Sequence, residues 1–397
     1  MKKLVLLISL INLACCANAQ WQPQWEKLIG SNPSPMCIAV KGNNIFEGTN
    51  MSGIFAATDT STSWTSMNTG LSDLIVTSLA IKDTNIFAGT MYRGIFLSTN
   101  NGASWDSINT GLTDFRIKSL AIIGNNIFAG TYKGGIFLST NNGTNWSAID
   151  NGLPYDSINS LYYPINSIVL CGTNIYASNW GKGVYVSADN GANWSAINTN
   201  LTDPFIFSLA VCGSNIFAST LGNGIFLFAN NGTSWNVVNN GLTNFWVSAF
   251  AVDSFHVFAG TGGGVYISVD NGFNWINVTY DLPTGDIVSM ATNETYIFVA
   301  MQGPGVWKSK LTQMTGVNEI NKSNMICVYP NPATNNLTIE TPLSSTIEIS
   351  NIQGQLIKTI TTSGTETKID VSAFPSGVYV VEVKTEKGVG VKKFVKE

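Results

Sequence analysis

The sequence predicts an all-β protein, in which a seven-bladed β-propeller is followed by a small C-terminal Ig-like β-sandwich. Two observations carry this prediction. Tryptophans recur about every 41 residues along most of the chain, at positions 64, 105, 146, 194, 235 and 275, and a fixed period of this length is typical of stacked supersecondary units. After residue 311 this period stops, charged residues become denser, and short runs of alternating apolar and polar residues follow.

The composition excludes several classes of function. Charged residues make up 11% of the chain, against about 25% in an average soluble protein. The net charge is −4, so a broad basic surface for nucleic acid is excluded. The single histidine, His256, excludes histidine-rich metal sites and disfavours a Ser/His or Cys/His catalytic pair. Hydrophobic residues reach 44%, enough for a large core.

The first nineteen residues have the pattern of a secretory signal peptide. Lys2 and Lys3 precede an apolar run over residues 4–13, and Ala17-Asn18-Ala19 supplies small residues before a cleavage site at Gln20. A lipoprotein signal ending at Cys15 or Cys16 is the alternative, but a polar residue occupies the place of a bulky aliphatic. No later stretch is long and apolar enough to span a membrane.

One repeat unit contains four short strand-like runs separated by Gly/Asn turns. In the third unit these runs are residues 119–122, 127–131, 136–139 and 146–149. Runs of this length, rich in aliphatic and aromatic residues, predict a four-stranded antiparallel blade. No segment has a sustained helical period, so the prediction is all-β.

The turn between the third and fourth runs carries the strongest motif. Four copies have serine, then Asp or Asn, then Gly, then Trp: Ser98–Trp105, Ser139–Trp146, Ser187–Trp194 and Ser268–Trp275. Two weaker copies end at Trp64 and Trp235. The short polar side chain is suited to bonding turn amides, the glycine to positive φ, and the indole to packing under the hairpin. The motif resembles the Asp-box of sialidases, sortilins, xyloglucanases and a photosystem assembly factor, all β-propellers. The resemblance implies the fold but not an activity.

The last blade lacks its own fourth strand. Three strands are predicted at 286–290, 296–300 and 305–309, after which the repeat stops. Residues 24–29, which include Trp25, resemble the fourth run of a repeat and are expected to complete blade seven. The propeller is therefore predicted to cover residues 20–311, with the N-terminal segment closing the ring and removing an unpaired edge.

A polar segment, 312–324, is predicted to be a linker, and residues 325–397 to form the small sandwich. Tyr329-Pro-Asn-Pro-Ala333, Ile352-Gln-Gly354, Ser376-Gly-Val-Tyr-Val380 and the terminal Lys392–Lys396 follow one another in this segment. Together they resemble the C-terminal sorting domain of type IX secretion cargo. The resemblance implies export across a Gram-negative outer membrane, with the type IX machinery as partner and a location that is extracellular or on the outer-membrane surface.

No catalytic residue, cofactor or metal site is predicted. The sialidase family needs three arginines around the substrate carboxylate, and the chain has only Arg93 and Arg116. Glycoside hydrolysis by two carboxylates remains the alternative, with candidates in the linkers between blades: Asp73, Asp114, Asp156, Asp203 and Asp286. The cysteines after the signal, at 37, 171, 212 and 327, lack the CxxC spacing of zinc sites and are expected to be buried thiols.

A ligand-binding face is predicted where the loops between second and third strands meet the linkers between blades. The candidate ligand-binding residues are Arg93, Arg116, Tyr132, Tyr162, Tyr163, Trp180 and Trp246. The longer linker between blades three and four supplies the tyrosine pair. Phe115, Phe205 and Phe245 are assigned one repeat phase and are predicted to pack between blades. Arg116 alternatively pairs with Asp114.

These features favour a secreted or cell-surface, non-catalytic binding propeller whose ligand is a glycan or a protein. The alternatives are a glycan-degrading hydrolase that uses the loop aspartates, and an envelope scaffold or assembly factor.

Overall fold

The computed structural model describes residues 23–229, 232–253, 256–314, 327–340, 345–351, 355–362, 366–385 and 388–397. The chain divides into two compact units, residues 1–316 and 317–397. The predicted signal peptide, residues 1–19, lies outside the described residues, as does most of the predicted linker.

The described residues of the first unit form seven four-stranded antiparallel sheets, here called blades 1 to 7. Blade 1 contains β2 (Pro35–Lys41), β3 (Asn44–Thr49), β4 (Ile54–Thr58) and β5 (Thr65–Ser66). Blade 2 contains β6 (Val76–Lys82), β7 (Asn85–Thr90), β8 (Ile95–Ser98) and β9 (Asp106–Ser107). Blade 3 contains β10 (Ile117–Ile123), β11 (Asn126–Thr131), β12 (Ile136–Ser139) and β13 (Ser147–Ala148). A separate hairpin of β14 (Tyr155–Asp156) and β15 (Leu161–Tyr162) follows blade 3.

Blade 4 contains β16 (Ile165–Cys171), β17 (Asn174–Asn179), β18 (Gly183–Ser187) and β19 (Ser195–Ala196). Blade 5 contains β20 (Ile206–Cys212), β21 (Asn215–Thr220), β22 (Ile225–Phe228) and β23 (Asn236–Val237). Blade 6 contains β24 (Val247–Val252), β25 (Val257–Thr261), β26 (Gly264–Ser268) and β27 (Ile276–Asn277). Blade 7 contains β28 (Ile287–Thr292), β29 (Tyr296–Met301), β30 (Gly305–Lys310) and, from the start of the chain, β1 (Glu26–Lys27).

The blades surround a central channel. The first strand of each blade contacts the first strand of the next, and β28 of blade 7 contacts β2 of blade 1. All seven first strands line one channel cavity of about 260 Å³. The hydrophobic core lies between successive blades, where Phe87 and Ile95 of blade 2 pack against Ile117 and Phe137 of blade 3. The predicted β-propeller class is confirmed.

The turn between the third and fourth strands, which in blade 2 has the sequence Ser-x-Asn-x-Gly-x-x-Trp, is tied to the preceding blade. In blade 2, the Gly102 N–H donates to Ser98 Oγ (2.8 Å) and the Ser104 N–H donates to Asn100 Oδ1 (3.0 Å). Gly102 has a φ of 90°, which glycine tolerates. The Trp105 indole N–H donates 2.7 Å to Met67 O of blade 1. The indoles of blades 3 to 6 bond the preceding blade in the same way, through Trp146, Trp194, Trp235 and Trp275.

The N-terminal strand provides the outer strand of blade 7. In the β1–β30 ladder Glu26 lies opposite Lys308 and Lys27 opposite Trp307, and the Leu28 N–H donates 2.9 Å to Val306 O. Trp25 occupies the position that the repeated tryptophans have in the other blades, since its indole N–H donates 3.0 Å to Val278 O of the preceding blade.

Glycines after the fourth strands allow the chain to pass directly over a tryptophan backbone. A Cβ atom on Gly111, whose φ is +94°, would lie 2.1 Å from Trp146 O. We therefore expect Gly111→Ala to reduce the free energy of unfolding by about 2 kcal/mol, because the close backbone approach leaves no room for a methyl group.

The matched control is Gly124→Ala. Gly124 also has positive φ, +59°, but a Cβ there meets nothing within 4 Å, so only the left-handed backbone opposes alanine, at about 1 kcal/mol. Chemical denaturation of both variants measures the difference. Equal losses in the two variants would contradict the steric argument.

A short helix ends the first unit. Helix α1 (Leu311–Met314) buries Leu311 and Met314 in the cluster that contains Trp25 and Leu282. This differs from the predicted linker, which began at residue 312. The apolar side chains at the two ends of this turn explain the difference, because they continue the core of blade 7.

The second unit packs two sheets around one core. Its strands are β31 (Cys327–Tyr329), β32 (Asn336–Glu340) and β35 (Glu366–Asp370) in one sheet, and β34 (Leu356–Thr362), β33 (Ser345–Asn351), β36 (Gly377–Thr385) and β37 (Gly388–Lys396) in the other. Leu337 of the first sheet shares a buried cluster with Ile347, Val381 and Phe394 of the second. This arrangement agrees with the predicted small sandwich.

In the described part of the chain, no helix has the length and apolar character needed to cross a membrane. Cys37, Cys171 and Cys212 are buried free thiols, as the sequence indicated. The same described residues contain no cluster of ligating side chains suited to a metal ion.

Candidate functional site

The loops and linkers of the propeller meet on one face, opposite the turns between third and fourth strands. In each blade, a loop N–H after the second strand donates to the carbonyl just before the first strand, for example Tyr132 N to Arg116 O (2.9 Å) and Trp180 N to Pro164 O (2.9 Å). We call the residues at these carbonyls the rim: Ser34, Ile75, Arg116, Pro164, Phe205, Trp246 and Asp286.

A second set of residues lies deeper and lines the channel. Every first strand has a register shift at its start, between Ile117 and Ser119 in blade 3 and at the equivalent place in the other six blades. Such a bulge redirects the extra residue. The seven bulged residues all line the channel, and we call them the throat: Met36, Thr77, Lys118, Asn166, Phe207, Ser248 and Val288.

Two adjoining cavities open where rim and throat meet. One, of about 370 Å³, is lined by Lys118, Tyr132, Asn166 and Trp180 among others. The second, of about 290 Å³, includes Trp246, Asp286 and Gln302. Both include Phe207, Ser248 and Val288 in their walls. We call the combined space the mouth of the channel.

Four aromatic side chains pack in a row at one side of the mouth, and three of them, Trp180, Phe207 and Trp246, line it. Trp180 meets Phe205 edge-on with ring centroids 5.2 Å apart, and Phe207 in the same way at 5.1 Å. Phe207 in turn stacks with Trp246 at 6.4 Å. Trp246 is 55% exposed. We call these four residues the aromatic wall; such a surface is suited to stacking on a flat apolar group.

Cationic side chains lie towards blades 3 and 4. The Arg116 guanidinium lies 5.3 Å from the Tyr132 ring centroid, and the Lys133 ammonium lies 5.9 Å from the same centroid. The Lys182 ammonium lies 4.6 Å from the ring of Tyr163. Cation–π contacts of this kind hold both tyrosines against charged neighbours.

The two arginines do not form a pair of free guanidinium groups. Arg116 Nε donates 2.8 Å to Asp114 Oδ1, which neutralises it, as the alternative interpretation of the sequence predicted. Arg93 is exposed on the loop of blade 2, and its own carbonyl accepts from Asn109 Nδ2 at 2.8 Å. Of the two, only Arg116 lies at the rim.

The longer linker forms the β14–β15 hairpin. The rings of Tyr155 and Tyr162 are 5.0 Å apart, and Ile158 at the hairpin tip is 92% exposed. Tyr162 is half-buried against the core of blades 3 and 4. Tyr163 is half-buried under Lys182. Of the predicted binding residues, Tyr132 and Trp180 line the larger mouth cavity and Trp246 the other.

The prediction that three phenylalanines pack between blades is wrong. Phe115, Phe205 and Phe245 are 45%, 40% and 45% exposed. They also do not share one phase, because Phe205 directly precedes its strand, whereas the other two lie one residue earlier. At five of the seven rim positions, including Arg116, Phe205 and Trp246, the rim N–H donates to an Asp or Asn side chain two residues earlier, and this shared bond fixes the alignment; Phe205 N, for example, donates 3.0 Å to Asp203 Oδ1.

Most of the linker aspartates are committed to the backbone. Asp73, Asp114 and Asp203 are each 8% exposed and accept backbone N–H groups. Hydrogen bonds from Asn159 hold the pKa of Asp156 below its ordinary value. These carboxylates therefore act as turn caps, which gives little support to the hydrolase alternative.

Asp150 has a pKa raised to about 6 by burial. It accepts the Ile136 N–H at 2.7 Å, in the place where Asn68, Asn109, Asn198 and Asn239 accept the equivalent N–H in other blades. Its position is therefore that of a structural cap.

The throat was not predicted from the sequence. Lys118, Asn166 and Phe207 were not among the predicted site residues, although all three line the mouth. A signal does exist: in the starts of the first strands, Val76-Thr-Ser, Ile117-Lys-Ser, Ile165-Asn-Ser and Ile206-Phe-Ser, the middle residue is the one that varies.

Comparison with known families identifies the C-terminal unit. Residues 327–397 match the secretion system C-terminal sorting domain family, Por_Secre_tail. This type IX sorting domain indicates that the protein is exported to the cell surface or secreted. No curated protein matches the sequence.

Several solved structures share the propeller fold. PorZ, described as an essential bacterial surface component of the type IX secretion system of Porphyromonas gingivalis, is 15% identical over 93% of this chain, with a TM-score of 0.53. The chain spans 60% of the length of PorZ. YCF48 bound to D1 peptide is 13% identical, covers 75% of this chain and 97% of its own, and has a TM-score of 0.58. The WD40 β-propeller domain of Doa1 is 11% identical over 74% of this chain and 99% of its own, with a TM-score of 0.57. The chain is thus an exported β-propeller protein with a secretion system C-terminal sorting domain.

Proposed function

We propose that the propeller is a non-catalytic binding domain, which recognises its ligand at the mouth of the channel after export by the type IX machinery. The observation that carries the proposal is the aromatic wall. Trp180, Phe207 and Trp246 line two adjoining cavities on one face, and Trp246 is 55% exposed. Exposed aromatic groups around a concave site are typical of binding surfaces.

A glycan is the first candidate ligand. The C–H faces of pyranose rings are flat and apolar, which suits them to stacking on tryptophan. Polar side chains close to the wall, Asn166, Asp286 and Gln302, supply donors and acceptors for ring hydroxyls. A rigid ring of blades also keeps this site preformed, which reduces the entropy lost on binding.

A protein segment is the second candidate. The observation that favours it is the shared fold with YCF48, for which a complex with D1 peptide is known. An apolar side chain of a peptide is suited to packing on the aromatic wall, just as a sugar ring is. A scaffold or assembly role at the envelope, as for a surface component such as PorZ, would use the same mouth.

The test is binding of the exported protein to a glycan array and to a peptide array, with wild type and two variants. Trp180→Ala and Trp246→Ala are each expected to weaken binding by at least about tenfold, because buried aromatic residues dominate the energy of most interfaces.

The matched control is Phe273→Ala. Phe273 is 62% exposed but lies in the Asp-box turn of blade 6, on the opposite face, so this variant is expected to bind as wild type does. Melting temperatures of all three variants check the fold. Equal affinity in wild type and both tryptophan variants would remove the mouth as the binding site.

A further inference from the structure

Lys118 is the one ionisable residue among the seven throat positions. It lines both the channel and the larger mouth cavity, together with Trp180 and Phe207 of the aromatic wall. The equivalent places in the other blades hold methionine, threonine, asparagine, phenylalanine, serine and valine. A single positive charge is therefore placed directly beside an apolar surface.

The polar throat residues around Lys118 are already engaged with the backbone. Thr77 Oγ1 donates 2.6 Å to Ile117 O, Asn166 Nδ2 donates 3.0 Å to Ile206 O, and Ser248 Oγ donates 2.5 Å to Ile287 O. Each of these bonds joins one blade to the next. The three side chains thus hold the ring together, whereas Lys118 takes no part in this set of contacts.

Lys118 also lacks a counter-charge. Within the described residues, no carboxylate is in ion-pair contact with its ammonium. Three other cations of this face have such a neighbour, since Arg116 has Asp114, and Lys133 and Lys182 lie over tyrosine rings. Arg93 is exposed to solvent on the loop of blade 2 and does not line the mouth. Partial burial lowers the pKa of Lys118 below its ordinary value, which is the sign of an ammonium that loses water and gains no partner.

We propose that Lys118 binds the carboxylate of an acidic sugar, whose ring stacks on the aromatic wall; this rests on the proposed function and names its ligand class. A carboxylate entering the mouth would supply the counter-charge that the protein does not. The same ligand would meet the Asn166 amide oxygen, the Tyr132 hydroxyl and the Gln302 amide as partners for its hydroxyl groups. A uronic acid residue has all three features: a carboxylate, a ring that stacks on aromatic groups, and hydroxyl groups.

The experiment compares phenyl β-D-glucuronide with phenyl β-D-glucoside by calorimetric titration of the full chain at pH 7. The two probes differ only in a carboxylate against a hydroxymethyl group. We expect wild type to bind the glucuronide at least about tenfold more tightly, with a preference that falls in high salt. Lys118→Met is expected to bind both probes equally and weakly, while Lys133→Met, on the same face, keeps the preference.

Equal affinity of wild type for the two probes would overturn the inference, and an unchanged preference in Lys118→Met would do the same. If wild type binds both probes with equal affinity and Trp246→Ala binds neither, the proposed function stands, but an acidic sugar is not its ligand. N-acetyl-tryptophan and its amide form a second pair of probes. If wild type binds N-acetyl-tryptophan but not the glucuronide, or binds neither of them, the assignment of an acidic sugar to Lys118 is also overturned.

Discussion

Replacing Trp25 by alanine is expected to reduce the free energy of unfolding by about 4 kcal/mol. Trp25 is 5% exposed and packs in a cluster with Val278, Leu282 and Met314. Its indole N–H donates 3.0 Å to Val278 O, so the substitution leaves both a cavity and an acceptor without its donor. The residue precedes blade 1 in the sequence, yet the cluster in which it packs is formed by residues of blades 6 and 7 and of α1.

Deleting residues 20–30 is expected to have a still larger effect. The deletion also removes the β1–β30 ladder and the bond from Leu28 N to Val306 O, and it leaves β30 as an exposed edge that invites pairing between molecules. Denaturation measures the stability loss, and size-exclusion chromatography detects the association.

Trp246→Ala is the control for the Trp25 variant. Trp246 is 55% exposed, so its removal is expected to change stability by no more than about 1 kcal/mol. If Trp25→Ala unfolds at the same denaturant concentration as Trp246→Ala, the N-terminal strand does not hold the ring closed.

The propeller class and the appended sandwich could be predicted because their signals repeat. In blades 2 to 6 the turn before the fourth strand places a tryptophan under a hairpin and ties it to the preceding blade, as Trp105 is tied to Met67. The fold therefore requires the same residue at the same spacing in successive blades. Apolar runs at fixed offsets then indicate the strands. The start of the linker was harder to predict, because α1 is a single helical turn and its two apolar residues are too few to show a helical period.

The throat could not be predicted from alternation alone. Alternation assigns successive residues of a strand to opposite faces, but the bulge at Ile117–Ser119 inserts one residue and turns Lys118 into the channel. The exposure of Phe115 and Phe245 was missed for a related reason. An apolar residue in a linker is predicted to be buried unless the hydrogen bonds that keep the linker at the surface are known.

One position breaks the repeat inside the core. Glu47 in β3 is fully buried, where blades 2 to 6 have alanine and blade 7 has valine: Ala88, Ala129, Ala177, Ala218, Ala259 and Val299. Ile45, two residues earlier on the same side of the strand, packs against Phe298 and Ala300 of blade 7. Glu47 therefore lies at the junction of the first and last blades.

Burial raises the pKa of Glu47 to about 7 from its ordinary value of 4.5, and the N–H of Asn32, 3.2 Å from Oε2, offsets this only in part. Among the residues that the structure describes, the other oxygen, Oε1, has no hydrogen-bond partner. Between these two pH values the native protein holds a proton that the unfolded chain has released. Stability therefore falls as pH rises through this window, and the loss is complete above the pKa of the folded state. The difference between the two values corresponds to about 3 kcal/mol.

Glu47→Gln removes the charge and keeps the shape of the side chain. Relative to wild type, the variant is expected to gain about 2.5 kcal/mol as pH rises from 5 to 8, because only wild type must ionise a buried carboxyl group. The measurement is denaturation at several pH values, and the difference between the two proteins cancels the other titrating groups. Ile45→Val, at a buried position of the same junction, is the control: it removes no ionisable group and is expected to give a difference that does not change with pH. A flat difference for Glu47→Gln as well would show that the buried carboxyl group does not weaken the junction at neutral pH.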